Sequence, residues 1–212
     1  GETVAGTFKQ VPEAIAKVYR NELGLTRKHS PHSWRSAFST VCREAGKDGD
    51  VIEGAGWALE AVATPGHTAN HLAFAWPERK INFVGDHVMG WSTSIVAPPD
   101  GAMSDYMASL ARLEARDEDL YFSGHGPEIP EAQRYVRFLT RHRQAREASI
   151  LHRLTKGEAD IPTMVRAIYI GIDPRLTGAA GYSVLAHLED LVARGIVATD
   201  GDPVIGGSYR MV

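Results

Sequence analysis

The sequence predicts an α+β fold in two parts, and three observations carry the prediction. Up to about residue 154, short apolar runs of strand character alternate with segments of helical spacing. Three turns containing glycine or proline interrupt those runs and carry histidine or aspartate. After Gly157 the pattern changes to helix, helix and a glycine-linked pair of strands.

The elements follow in order. Val11, Ile15, Val18, Tyr19 and Leu23 recur at helical spacing, and Pro12 suits a first turn, so residues 11–23 are expected to be helical. Residues 26–49, rich in Ser, His, Arg and Lys, read as loop. Residues 57–64 alternate as a strand does and stop at Pro65-Gly66. Strands are expected over 72–76 and 81–84, with a turn at 77–80 between them. Tyr106, Met107, Leu110 and Leu113 define a helix, with Asp105 as its expected N-cap and an end near Arg116. Residues 120–122 read as a brief strand, and 131–154 as a long helix with Tyr135, Phe138, Leu139, Ile150, Leu151 and Leu154 on its apolar side. Beyond it come helices at 163–169 and 182–194 and short strands at 196–197 and 209–210. Gly201, Gly206 and Gly207 make the turn between those strands. The expected division is therefore residues 1–155 and 156–212, with 1–49 matching no recognisable motif.

Composition narrows the function classes. Hydrophobic residues make up 43% of the 212 and charged residues 23%, enough to build a core without disulfide staples. Cys42 is the single cysteine, which excludes an internal disulfide and fits a reducing compartment. A net charge of -3 supplies no basic field for non-specific nucleic-acid binding. No apolar stretch approaches the ~20 residues of a membrane span, and no charged-then-apolar leader opens the chain, so the expected compartment is the cytoplasm.

The chemistry sits in the three turns, Thr64-Pro65-Gly66-His67-Thr68, Gly85-Asp86-His87 and Gly124-His125-Gly126. Each is expected at a strand end, where sharp turns let side chains from separate strands converge on one sheet edge. Imidazole and carboxylate are ligands that hydrolytic zinc sites use, and iron or manganese is compatible with the same donors. Any one of these residues alone would read as a loop histidine or a capping aspartate; the three in sequence make a metal centre.

These motifs resemble those of the metallo-β-lactamase superfamily. The run Ala63-Thr64-Pro65-Gly66-His67-Thr68-Ala69-Asn70-His71 is similar to its central Thr-Pro-Gly-His-Thr motif, Gly85-Asp86-His87 to its bridging-aspartate motif, and Ser123-Gly124-His125-Gly126-Pro127 to its last histidine motif. The subgroup most resembled is that of β-lactamase-like protein 2, with its endoribonucleases and hydroxyacylglutathione-hydrolase-like relatives. Residues 97–101, residues 105–110 and the long helix with His142-Arg143 and Arg146-Glu147 support that likeness. The resemblance implies an αββα sandwich, incomplete at its N-terminus, followed by a small winged-helix domain. It also implies two divalent metal ions, with His67 on the first, His125 on the second and Asp86 bridging them. Hydroxide generated there would attack an ester, thioester or phosphodiester, RNA included.

The superfamily's His-x-His-x-Asp-His signature is absent from this sequence. His29 and His32 are the histidines upstream of the Pro-Gly-His turn, and no Asp-His pair stands beside them. His67 with Asp86, and Asp86 with His125, give two protein ligands per ion where catalytic zinc uses three, so weak occupancy is expected. His71 and His87 read as structural neighbours of the ligands. The alternative is a non-catalytic or truncated scaffold acting through protein or nucleic-acid contacts.

In the C-terminal part, Val184, Leu185, Leu188, Leu191 and Val192 have core spacing, and the helix that carries them also bears Glu189 and Asp190. Phosphate contact needs clustered Lys and Arg, so this winged helix is not expected to bind duplex DNA. The stripe Arg134, Arg137, Arg141, Arg143 and Arg146 reads either as a solvated face paired with Glu131 and Glu147 or as a guide for an anionic substrate.

Overall fold

A computed structural model of the chain describes residues 47–54 and 57–212. The expected helix at 11–23, most of the expected loop at 26–49, and His29, His32 and Cys42 lie outside the described residues. The rest falls into two units, one of residues 47–64, 70–94 and 113–136, the other of 65–69, 95–112 and 137–212.

The first unit holds a six-stranded mixed sheet. Its strands are β1 (Val51–Gly54), β2 (Trp57–Ala63), β3 (Leu72–Trp76), β4 (Ile81–Gly85), β5 (Leu120–Ser123) and β6 (Ile129–Pro130), in that order across the sheet. All neighbours pair antiparallel except β4 and β5, which are parallel. β3 and β4 read as continuous apolar runs because both their faces are covered: residues 73–76 and 81–84 are buried throughout. Ile52, Leu59, Ala61, Phe74, Trp76, Ile81, Phe83 and Phe122 form one core cluster, within which Phe83 stacks on Phe122 at 5.7 Å.

A charged knot closes the same unit. Arg116 donates to both oxygens of the buried Glu118 at 2.7–3.0 Å and to both oxygens of Glu60 on β2 at 2.7–3.2 Å. These two carboxylates hold the Arg116 guanidinium well above its ordinary pKa. The Gln133 side chain donates to the Arg116 and Glu118 carbonyls at 2.8 and 3.0 Å, fixing the turn that feeds β5.

Helix α1 (Met103–Glu114) is longer than its sequence pattern. Asp105 lies inside its first turn rather than capping it, where a carboxylate still offsets the exposed amide dipoles. Helix α2 (Ala132–Leu154) matches expectation within a residue. The two-residue strand β6 and the edge strand β1 have no counterpart in the sequence pattern, being too short to show a period.

The second unit carries α3 (Ile161–Ile168), α4 (Thr177–Ala193) and the strands β7 (Ala159–Asp160), β8 (Val197–Thr199) and β9 (Ser208–Met211), in the sheet order β7-β9-β8. Two helices with a small antiparallel sheet make the expected winged helix. Asp160 caps α3, accepting from the Thr163 amide at 2.8 Å. α4 begins five residues earlier than its pattern, because Gly178, Ala179, Ala180 and Gly181 are too small to show an apolar stripe. Val184, Leu185, Leu188 and Leu191 are buried, and Val192 packs against them partly buried, as their spacing predicts. Tyr209 pins the wing turn: its hydroxyl donates to the Val204 carbonyl at 2.8 Å and accepts from the Val204 amide at 2.9 Å.

The expected arginine stripe divides. Arg134 is exposed and pairs with Glu131, whereas Arg143 is buried with its guanidinium 5.0 Å from the Tyr106 ring centre, and Arg146 lies 4.0 Å over Tyr169. Glu147 pairs with Arg194 of the winged helix at 2.8 Å. No helix among the described residues is long and apolar enough to cross a membrane.

Candidate metal centre

Strand direction positions the candidate ligands. β2, β4 and β5 run the same way in the first unit, so their C-terminal ends share one sheet edge. Parallel neighbours release their following turns side by side, and Gly85 stands opposite Ser123 in register. The Gly124 amide then donates to the Gly85 carbonyl at 2.7 Å, zipping the turn after β4 to the turn after β5.

Asp86 and His125 meet there. His125 Nε2 lies 3.6 Å from Asp86 Oδ1, and both side chains are part-exposed, at 39% and 40%. That spacing is beyond an ordinary hydrogen bond, which runs to about 3.2 Å. Two donors each ~2.1 Å from one tetrahedral ion lie about 3.4 Å apart, so the pair sits close to the separation of two ligands on a shared ion. Gly124 makes this possible: a Cβ there would overlap Asp86 Oδ1.

A second pair of side chains sets the turn from below. Thr64 Oγ1 and His71 Nδ1 are 2.7 Å apart, and the Thr64 amide donates to the His71 carbonyl at 2.9 Å. The far side of the His71 ring abuts Gly85, whose φ is +52° and whose Cβ, if present, would lie 2.8 Å from His71 Nε2. Only glycine tolerates both demands without strain. His87 is buried, and its ring lies 5.6 Å from that of His71. The structural reading of both histidines agrees with this packing, but the sequence could not show that His71 braces the residue before Asp86.

His67 belongs to the second unit. Its Nδ1 is 2.6 Å from the Ile95 carbonyl, which can only accept, so Nδ1 carries a proton toward it. Such a backbone acceptor behind the ring is the usual support of a metal-ligating histidine. The turn is stitched to residues 97–109. Ser109 Oγ donates to the Pro65 carbonyl at 2.7 Å, the Ala69 amide to Asp100 at 3.1 Å, and the Ala102 amide to the Gly66 carbonyl at 3.1 Å. At Gly66, with φ +130°, a Cβ would overlap the Tyr106 backbone. Residues 97–110 therefore support the Pro-Gly-His turn directly.

Among the described residues, no three His, Cys, Asp or Glu side chains form a group able to hold a metal ion. The arrangement on view is the Asp86–His125 pair, and His67 lies in the other unit. By donor chemistry and spacing, this pair fits a divalent cation as a partial ligand set.

Comparison with known proteins agrees with the two-part reading. Residues 5–125 match the Metallo-beta-lactamase superfamily, and residues 161–207 match the Beta-lactamase associated winged helix domain. The first match takes in most of residues 1–49, which carry no motif of their own. The chain is 32% identical over 111 residues to the beta-lactamase-like protein 2 homolog of Caenorhabditis elegans, covering 52% of this chain and 36% of that protein. It is 33% identical over 104 residues to an atrochrysone carboxyl ACP thioesterase of Aspergillus fumigatus, covering 49% and 32%. Among solved structures, a metallo-beta-lactamase family protein of Thermus thermophilus superposes with a TM-score of 0.68 at 26% identity, over 78% of this chain and 53% of that one. A beta-lactamase domain protein of Burkholderia ambifaria has a TM-score of 0.71 at 20% identity, over 78% and 51%, a likeness of fold. The chain thus spans roughly a third to a half of the length of these relatives. It belongs to the metallo-β-lactamase superfamily and carries that superfamily's associated winged helix.

Proposed function

We propose that the chain carries the metal-binding and winged-helix parts of a hydrolase, in which Asp86 and His125 hold a divalent ion. The carrying observation is the Asp86–His125 pair: two ligand types 3.6 Å apart, brought together by adjacent parallel strands and by a glycine that leaves room for the Asp86 carboxylate. A divalent cation bound there would lower the pKa of water and polarise the carbonyl or phosphoryl oxygen of a substrate. The protein's own part is to aim the carboxylate and the imidazoles and to keep them aimed. The Thr64–His71 clamp braces Gly85 beside Asp86, Gly124 leaves room for the Asp86 carboxylate, and the Ile95 carbonyl faces His67 Nδ1.

The relative described as a thioesterase supports a carboxylic ester or thioester substrate. The test is hydrolysis of p-nitrophenyl acetate and of an acetyl thioester by the purified chain with added zinc, iron(II) or manganese(II). Turnover should depend on the metal, stop with chelator, and fall at least about tenfold in His125→Ala. The alternative is a non-catalytic or truncated scaffold acting through protein or nucleic-acid contacts. It predicts no metal-dependent turnover in any of these assays.

A further inference from the structure

We infer that the groove between the end of α2 and the end of α3 binds a small soluble anion bearing two linked phosphates, an inference independent of the hydrolase reading. The groove lies within the second unit and holds about 410 Å³, the size of a small-ligand site. His152, Arg153 and Lys156 line one side of it, and Ala148, Ala167 and Ile168 are among the other lining residues. None of the lining residues is acidic. Their positions along the chain keep the three nitrogen-bearing side chains within about one helical turn of each other.

Basic residues at a helix end ordinarily serve its dipole and its orphan carbonyls. Here those carbonyls are already met. The Thr155 amide donates to the Leu151 carbonyl at 3.0 Å and the Thr155 hydroxyl to the His152 carbonyl at 2.8 Å. The Lys156 amide donates to the Arg153 carbonyl at 3.2 Å, and the Gly157 amide to the Leu154 carbonyl at 3.1 Å. Arg153 gives an N–H to the Gly157 carbonyl at 3.1 Å, which steadies the guanidinium and leaves its other donors for a ligand. Elsewhere in the same unit, Arg175 pairs with Asp173, Arg194 with Glu147 and Asp190, and Arg210 with Asp200. Among the described residues, no carboxylate pairs with His152, Arg153 or Lys156.

The donor set selects the anion. A guanidinium can grip two phosphate oxygens at once, an ammonium acts as a point charge, and an imidazole N–H adds a directed donor. Together they can serve more acceptors than the two oxygens of a carboxylate supply, and linked phosphates supply enough. The aliphatic wall of Ala167 and Ile168 keeps water from one side of a bound ion, which strengthens the pairing. Directly after Lys156 the chain turns acidic, with Glu158 and Asp160 both exposed. A long polyanion such as RNA would meet like charge there, whereas a small diphosphate ends within the groove.

The experiment titrates inorganic pyrophosphate into the full, metal-free chain by isothermal calorimetry at low and at high salt, with circular dichroism checking that each variant folds. The expected result is saturable binding whose affinity falls as salt rises. Lys156→Glu and Ala167→Glu should each weaken it at least about tenfold, whereas Ala167→Gln, of similar bulk and no charge, should stay within about threefold. Acetate should bind at least about tenfold more weakly than pyrophosphate. The inference is overturned if pyrophosphate shows no saturable binding, or if both glutamate variants bind it as the wild type does. It is equally overturned if acetate matches pyrophosphate, or if a short single-stranded RNA binds through Lys156 more tightly than pyrophosphate. Because metal is absent throughout, failure of the hydrolase reading would appear in the turnover assays and leave this titration unchanged.

Discussion

Gly124 and Gly85 do for Asp86 what no larger residue could. Each leaves a gap that a functional side chain fills, the Asp86 carboxylate at one and the His71 ring at the other. Gly124→Ala should displace the carboxylate from His125 and weaken metal binding about tenfold, the usual cost of disturbing a ligand's support. A chelator-competition titration checks this, and an unchanged affinity would show that Asp86 is not held by this contact. Much of this scale was legible in the sequence: His67, Asp86 and His125 stood out because each sat in a glycine-bearing turn after an apolar run. The joint role of Thr64 and His71 was not legible, since ring-against-glycine contacts join residues that no periodicity links.

At the scale of elements, burial of charge gives the sharpest energetic expectations. Glu118 is 1% exposed and depends on Arg116 for its neutralisation. Arg116→Ala should destabilise the chain by about 3–5 kcal/mol in denaturant unfolding, whereas the double change Arg116→Met, Glu118→Leu should cost much less. Equal losses in the two would contradict the reading of Glu118 as an obligate partner.

In the winged helix, burial above all, then the nearby Arg143 and Arg146, push the His187 pKa down from 6.5 to about 3. The unfolded chain takes up a proton below pH 6.5 that the folded chain refuses until about pH 3. Stability from this group is therefore intact above pH 6.5 and lost as pH falls through that window, by about 1.4 kcal/mol per unit. His187→Leu should flatten this part of the stability profile between pH 7 and 5, measured by denaturation midpoints; an undiminished slope would assign the acid sensitivity elsewhere. Periodicity found the long elements here and missed β1, β6 and β7, each four residues or fewer. It also missed the glycine- and alanine-rich first turns of α4, where small side chains mask a helix that packing nonetheless enforces.

For the whole molecule, both parts of the fold were readable because their patterns differ in period and length, and the family matches at 5–125 and 161–207 agree with that reading. Residues 1–49 held no motif, and the ligand count that follows from the missing His-x-His-x-Asp-His signature is the main chemical consequence for the chain. The most direct test is zinc titration of the metal-free chain against a chromophoric chelator, in the wild type and in Asp86→Asn and His125→Ala. The expected result is weak binding of fewer than two equivalents, reduced at least about tenfold by either substitution. Zinc binding of the same strength in both variants would contradict the assignment of Asp86 and His125 as ligands.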